Sequence, residues 1–276
     1  MAFNKNEVIL DRVRSLTCHD LDTNEMLLRL TSLEDPSLNT TAEGEEVTDA
    51  IGALITTLYR AKKATFSASN SLVSLDLAAA QYGSKKQVAG VTEGVKTVTD
   101  YVYEILSVED GKITLAHTPN ENTLKWVYAI EKNEVGSAYP VAAVTSAKEA
   151  GLGEGGVIDV SGITDKDGNK VFVDGKKVYV EYMYENENAL RIVNRASEFP
   201  EAVSVVVYAY FRDVCNENKI YSGKIICPKA KLNPESVELA LTSTGKHPFE
   251  FVINRDYCAE EGEDTLFEIV LAGEKN

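Results

Sequence analysis

Residues 64–83 read "ATFSASNSLVSLDLAAAQYG". Through "ATFSAS" the side chains alternate, with Ala64, Phe66 and Ala68 on one face and Thr65, Ser67 and Ser69 on the other. That is the period of a half-buried strand. Over residues 70–82 the pattern becomes helical, with Asn70 or Ser69 able to cap the start and Gly83 able to end it. At about 100° per residue, Ser71, Ser74, Ala78 and Gln81 form one narrow stripe. Leu72, Leu75 and Ala79 flank it on one side, and Val73, Leu77 and Ala80 on the other. Asp76 is the only charged residue in the window, in a chain with 43 acidic and 28 basic residues. We therefore expect a helix covered on nearly all sides, because a buried charge without a partner is costly. One cover is its own sheet. The other is either a neighbouring subunit or a middle subdomain of the same chain.

Outward from this stretch, strands dominate. "FEFVI" aligns Phe249, Phe251 and Ile253, and "SVELALTS" aligns Val237, Leu239 and Leu241. "AVSVVVYAYFRD" is a long β-branched and aromatic strand, and "KIYSGKIICPKAKL" is another that should end at or just after Pro228. "LFEIVLA" reads as a strand buried on both faces. Asp110-Gly111 and Asp174-Gly175 each sit between strand-like runs and predict two hairpins. A second short helix is expected at "TSAKEAG", residues 145–151. Composition shifts near 100 and 185 divide the chain. Residues 1–99 and 186–276 would form one β core, and 100–185 an inserted small β-subdomain.

At 276 residues and 44% hydrophobic content, the chain can bury a substantial core. Its net charge of −15 disfavours tight binding to nucleic acid or anionic membranes. Cys18, Cys215, Cys227 and Cys258 form no Cys-x-x-Cys pair, so free thiols are expected. "MAFNKNEVILDR" has no apolar signal core, and no run is long enough for a membrane helix. Synthesis in a cytoplasm without a membrane anchor is the expectation.

Motifs for chemistry are weak. Gly151, Gly153 and Gly156 match G-x-G-x-x-G, but a strand-like "VIDVSG" follows where a dinucleotide site needs a helix. A flexible loop is the better reading. Asp165, Asp167 and Asn169 resemble the start of a calcium loop, yet Lys170 and Lys176 occupy the positions that need Gly and Glu. That leaves a turn, or an irregular calcium site. His19, His117 and His247 lack metal-ligand spacing and read as loop or surface residues. "AEGEEVTD" and "AEEGED" read as solvated acidic loops. No nucleophile-elbow, Walker, zincin or kinase signature is present. No catalytic, cofactor-binding or metal residues are assigned, and an enzyme is not expected.

The stretch "VTDAIGALITTLYRAKKATFSASNSLVSLDLAAAQYG" resembles the N-terminal half of tail tube (major tail) proteins of tailed bacteriophages. "YSGKIICPKAKLNPESVELALTSTGKHPFEF" with "TLFEIVL" resembles their closing strands. The resemblance covers residues 25–90 and 185–272, and leaves 100–185 without a counterpart. It implies a mainly β fold, a tail-tube-like β-sandwich or barrel with one packed α-helix. It further implies a virion tail protein whose subunits form rings, usually of six, that stack into a tube. DNA passes through the lumen without specific binding. The partners implied are further copies of the chain, with sheath, tape-measure or baseplate proteins beside them. On this reading Thr65, Ser67 and Ser69 line the lumen or a subunit seam. Ser71, Ser74, Ala78 and Gln81 face a neighbour, and "LEDPSLNTTAEGEEVTDAIG" serves stacking. Arg at Ala78 should then block assembly and spare the fold. The rival readings are a capsid decoration or neck (tail-completion) β-protein, and a non-catalytic binding module such as a carbohydrate-binding β-sandwich. A carbohydrate module exposes an aromatic platform, whereas the single Trp, Trp126 in "LKWVYAI", reads as a core strand position.

Overall fold

The computed structural model describes residues 7–130, 140–146, 153–165, 167–216, 218–235, 237–239, 245–255 and 265–272. They are mainly β. In chain order the elements are β1 (Val8–Asp20), β2 (Met26–Leu30), β3 (Leu33–Thr48), β4 (Leu54–Asn70), α1 (Leu75–Gln81), β5 (Gln87–Val88), β6 (Val98–Ser107), β7 (Lys112–Thr114) and β8 (Trp126–Ile130). There follow β9 (Pro140–Ser146), β10 (Val157–Asp159), β11 (Lys177–Asn186), β12 (Leu190–Arg191), β13 (Ala202–Asp213), β14 (Ile220–Leu232), β15 (His247–Ile253) and β16 (Glu268–Ala272). The chain divides into two compact units, Met1–Lys86 with Ile192–Asn276, and Gln87–Arg191.

In the first unit the strands run β2-β1-β13-β14-β15-β4-β3, with β16 also paired to β14. Strand β14 pairs with β13 along one edge and divides the other between two strands: Ser222–Ile226 pair with β16, and Ala230–Leu232 pair with β15. Leu16 and Leu30 from one end of the sheet share a core with Phe66, Phe249 and Phe251 from the other. The sheet therefore folds over on itself, since one core has to bury the apolar faces of both ends. Ala64, Phe66 and Ala68 are the buried side of β4, as their alternation requires. Strand β14 does not stop at Pro228. Its ladder to β13 shifts between Cys227↔Val205 and Ala230↔Val203, and Pro228 sits in that irregularity, where its missing N–H breaks no pair. Strand β16 is not buried on both faces: Ile269 and Val270 are exposed. Val237 and Leu239 lie outside any strand, and Leu241 lies outside the described residues. Burial pushes the Cys18 thiol up to about 12 and the Cys227 thiol up to about 11, which keeps both protonated at neutral pH. Cys258 lies outside the described residues.

The helix α1 is shorter than its sequence pattern. It starts after Ser74, whose Oγ accepts the Leu77 N–H at 3.2 Å, while residue 70 still belongs to β4. The chain needs residues 71–74 to turn from strand to helix, and the Ser71 N–H is held by the Ser32 carbonyl at 2.9 Å. At the other end, the N–H groups of Gly83 and Ser84 donate to the carbonyls of Ala80 and Ala79. This paired closure uses a left-handed glycine, and Gly83 has φ +66°.

The second unit has a four-stranded sheet, β6-β11-β8-β9. Val178, Val180 and Tyr182 of β11 face a core with Val108, Ile113, Val127, Ile158 and Phe172. Both Asp-Gly turns form, but neither closes a long hairpin. Around Asp110-Gly111 the bridge stops at Glu109↔Lys112; β6 goes on to pair with β11, and β7 pairs with β10. The Asp174-Gly175 turn precedes β11, which takes β6 as its partner over ten residue pairs, Val98 to Ser107. Gly111 N–H donates to Asp174 Oδ1 at 3.0 Å, so the two turns contact each other. Packing of the apolar faces decided these pairings over the local turns. Residues 145–146 end strand β9 rather than starting a helix, and 147–151 lie outside the described residues. Trp126 is not in the core either: it is 45% exposed, because Val127 takes the inward position on β8.

A Cβ at Gly83 would lie 2.3 Å from the backbone of Phe199, in a conformation that L residues rarely adopt. Gly83→Ala should therefore lower stability by roughly 2–4 kcal/mol, read from urea unfolding of the full chain.

Candidate functional site

The surface that stands out in the first unit is an arm. Strand β15 pairs with β4 only over Ala64–Asn70, whereas β3 follows β4 from Asn70 out to Leu54. Residues 54–63 of β4 are therefore half of a two-stranded ribbon, roughly 30 Å long at about 3.3 Å per residue. Its tip is a turn tied by Asp49, whose Oδ1 accepts the N–H groups of Ile51 at 3.0 Å and Ala53 at 2.8 Å. Ladder shifts at Thr41/Glu43 and Val47/Thr48 add local twist, and Ala61 takes φ +47° opposite the first of them. Ion pairs Glu45–Arg60 and Glu43–Lys63 cross the ribbon. These pairs are exposed and add little.

The arm presents apolar groups on both faces. Leu54 and Leu58 lie on one, Ile55 and Tyr59 on the other, with Ile51 at the tip, and all five are exposed. A two-stranded ribbon alone in water is marginal, and exposed apolar rows of this kind mark a surface that another element covers. The acidic "AEGEEVTD" is strand β3 through Thr48 and not a loop, with only its last residue, Asp49, in the tip turn. The signal for the arm was in "ALITTLYR": its apolar residues fall on both alternation faces, which no half-buried strand requires.

The residues singled out beforehand separate into two sets. Thr65, Ser67 and Ser69 share the outward face of β4, half-buried, beside Val252, Glu250 and Pro248 of β15. Ser67 and Ser69 line an open groove of about 370 Å³ with Asp35, Glu238 and Glu250. Ser71 sits at the strand end, its hydroxyl donating to Ser32 O at 3.2 Å. Ser74 is the helix cap. Ala78 and Gln81 point inward and are each 3% exposed, so neither can face a neighbour or a lumen. Their burial comes from this same chain. The expectation that Arg at Ala78 would spare the monomer fails for this reason. Nor is the helix covered all round: Leu72, Val73 and Leu75 are exposed beside it, and Asp76 pairs with Lys86.

His247 holds the helix in place. It is fully buried at the start of β15, not a loop or surface residue. Its Nδ1 accepts the Ser74 N–H at 3.3 Å, and its Nε2 lies 2.7 Å from Gln81 Oε1. Gln81 Nε2 donates to Pro248 O at 3.0 Å. With Nδ1 accepting, the neutral ring carries its proton on Nε2 and donates to Gln81. One imidazole therefore ties the first and last turns of α1 to β15. Burial pushes its pKa below the usual 6.5.

The remaining motifs are structural. Gly153–Gly156 form a tight turn that leads into strand β10, with no helix behind it, and Gly151 lies outside the described residues. Asp165 Oδ1 accepts the N–H groups of Asp167 at 2.9 Å and Asn169 at 2.8 Å, which makes the stretch a self-tied turn. His117 stacks on Tyr184 with ring centroids 3.9 Å apart. Among the described residues no group of His, Cys, Asp and Glu could hold a metal ion, and no helix is long and apolar enough to cross a membrane.

Two outcomes follow. Ala78→Arg should abolish folding of the monomer, seen as insoluble protein or loss of the cooperative thermal transition. Below about pH 6.5 the unfolded chain protonates His247 while the folded chain resists, so its share of stability is present above that pH and is lost as pH falls. His247→Gln, which cannot be protonated, should flatten the fall of melting temperature between neutral pH and pH about 5.

A family model described as the YomU/Tube protein family matches residues 8–263. No curated protein matches the chain. The family match spans both compact units and includes the arm and the His247-anchored helix, and on that extent the chain belongs to the YomU/Tube protein family.

Proposed function

We propose that this chain is a structural, non-catalytic subunit of a bacteriophage tail tube, which associates with copies of itself in stacked six-membered rings. The observation that carries the reading is the arm of β3 and β4. It carries exposed apolar side chains on both faces, among charged pairs, and these have no cover within the described residues of its own unit. An arm of that form suits insertion between other subunits, where the neighbours bury Leu54, Ile55, Leu58 and Tyr59 and supply partners for the open edges. The exposed trio Leu72, Val73 and Leu75 offers a second, smaller contact.

The outward face of β4 and β15 suits a lumen. Thr65, Ser67 and Ser69 are small and uncharged, and Asp35, Glu238 and Glu250 share a groove with Ser67 and Ser69. Phosphate contacts through Lys and Arg supply most non-specific DNA affinity; here carboxylates outnumber the lysines Lys231 and Lys246, and Lys246 is already paired with Glu34 and Asp35. DNA would slide past such a surface. On this reading the protein resides in the virion tail, with sheath, tape-measure or baseplate proteins as further partners.

Negative-stain electron microscopy of the purified chain at high concentration, beside light scattering, tests the reading. Tubes or stacked rings with a central hole are expected. Ile55→Glu with Tyr59→Glu should abolish them and leave the monomer's thermal transition intact. A strictly monomeric chain, even when mixed with tail-initiation proteins from the same source, would overturn the tube reading in favour of a decoration or neck protein.

A further inference from the structure

The outer face of the second unit carries an array of rings that the tube reading does not use. Strand alternation sends Val178, Val180 and Tyr182 into the core and leaves Tyr179, Glu181 and Met183 outside. The register sets Glu181 across from Tyr103, Met183 across from Tyr101, and Tyr179 across from Tyr128. Tyr101 is 59% exposed, Tyr103 63% and Trp126 45%, far from the burial expected of such large rings in a strand. Tyr103 and Tyr179 stack with centroids 5.8 Å apart, and Tyr128 tilts against Tyr179 at 6.2 Å. Beside this array lies an open cavity of about 360 Å³, lined by Tyr101, Trp126, Tyr128, Glu181, Asn122 and Lys125 among others. That volume falls in the range of ligand clefts, roughly 300–1,000 Å³.

A single carboxylate stands within the aromatic field. Tyr101 Oη donates to Glu181 Oε2 at 2.5 Å, and Tyr179 Oη donates to Glu181 Oε1. The two hydroxyls, Tyr101 first, hold the Glu181 carboxyl below its usual range, so it is ionised and fixed in orientation at neutral pH. An ionised carboxylate has about four acceptor positions, and the tyrosines occupy two of them. The rest point the way for a ligand's O–H donors. From these features we infer that the face is a binding site for a neutral carbohydrate. A sugar ring lays its C–H face on Trp126 and the tyrosines while its hydroxyls donate to Glu181.

Charge complementarity selects this ligand over others. Nucleic acid would bring phosphate against Glu181 on a chain of net charge −15. A purely apolar ligand would strip water from that carboxylate with nothing in return. For a simple cation, Lys125 lies in the same cavity and the carboxylate is already engaged by two donors. A neutral polyol brings donors without charge and an apolar face without desolvating a charge unpaired.

Trp126 is the only tryptophan in the chain and lies in the site, so its emission reports occupancy directly. The full-length protein would be titrated with neutral oligosaccharides of hexoses and N-acetylhexosamines, α- and β-linked, at low and high salt. A saturable shift in Trp126 emission, insensitive to salt, is expected. Calorimetry should show at least about tenfold weaker binding for Glu181→Gln and loss of binding for Trp126→Ala, with thermal transitions unchanged. No saturable response to any sugar at millimolar concentration would overturn the inference. So would a response confined to tetramethylammonium or arginine, which would mark a cation site, or emission that changes only with protein concentration, which would mark a contact between copies. None of these readings depends on whether tubes form.

Discussion

The register of β4 against β15 governs the first unit. Phe66 stands opposite Phe251 and Ala68 opposite Phe249, and all four are buried. A slip of one residue would turn Thr65, Ser67 and Ser69 into the core and expose Phe66. Because the penalty falls on every residue of the strand, the pairing is unambiguous. The same strand then runs beyond the sheet as one side of the arm. One continuous element thus carries both the core of the unit and its most exposed apolar surface, so a displacement at the core end would also re-aim the arm.

The charge-poor helix is explained by its own chain. Seven residues are too few to be stable alone, and α1 persists because both ends are fixed. Ser74 caps the start, Gly83 closes the end, and His247 binds the backbone at one end and Gln81 at the other. Leu77, Ala78 and Ala79 are buried against this frame. A charge on that face would have no partner, whereas His247 and Gln81 satisfy each other and Pro248 O.

The two units use outward-facing residues differently. In the first, the outward face of β4 and β15 is small and hydroxylic, with carboxylates around Ser67 and Ser69 and Lys246 paired to Asp35. In the second, the outward face of β6, β11 and β8 is aromatic around one oriented carboxylate. The proposed lumen draws on the first surface, and the inferred carbohydrate site draws on the second.

The mainly β class, the core side of β4 and the long strands of residues 202–213 and 220–232 were legible from alternation, since period-two burial is a local property of the chain. The turns at Asp110-Gly111 and Gly175 were legible too, because positive φ is a local demand. What each strand paired with was not: β6 left its turn for β11 through packing of Val178 and Val180, which no short window contains. The helix stripe misled for the same reason, because periodicity identifies an apolar or neutral face without naming what covers it. His247 and Trp126 exchanged their expected places, the histidine buried and the tryptophan exposed. Composition and spacing determined the β class and the principal strands, but not the expected helix at 145–151 or the expected strand at 236–243. Only the tertiary structure decided which neighbours they meet, because the free energy of burial belongs to contacts between residues distant in sequence.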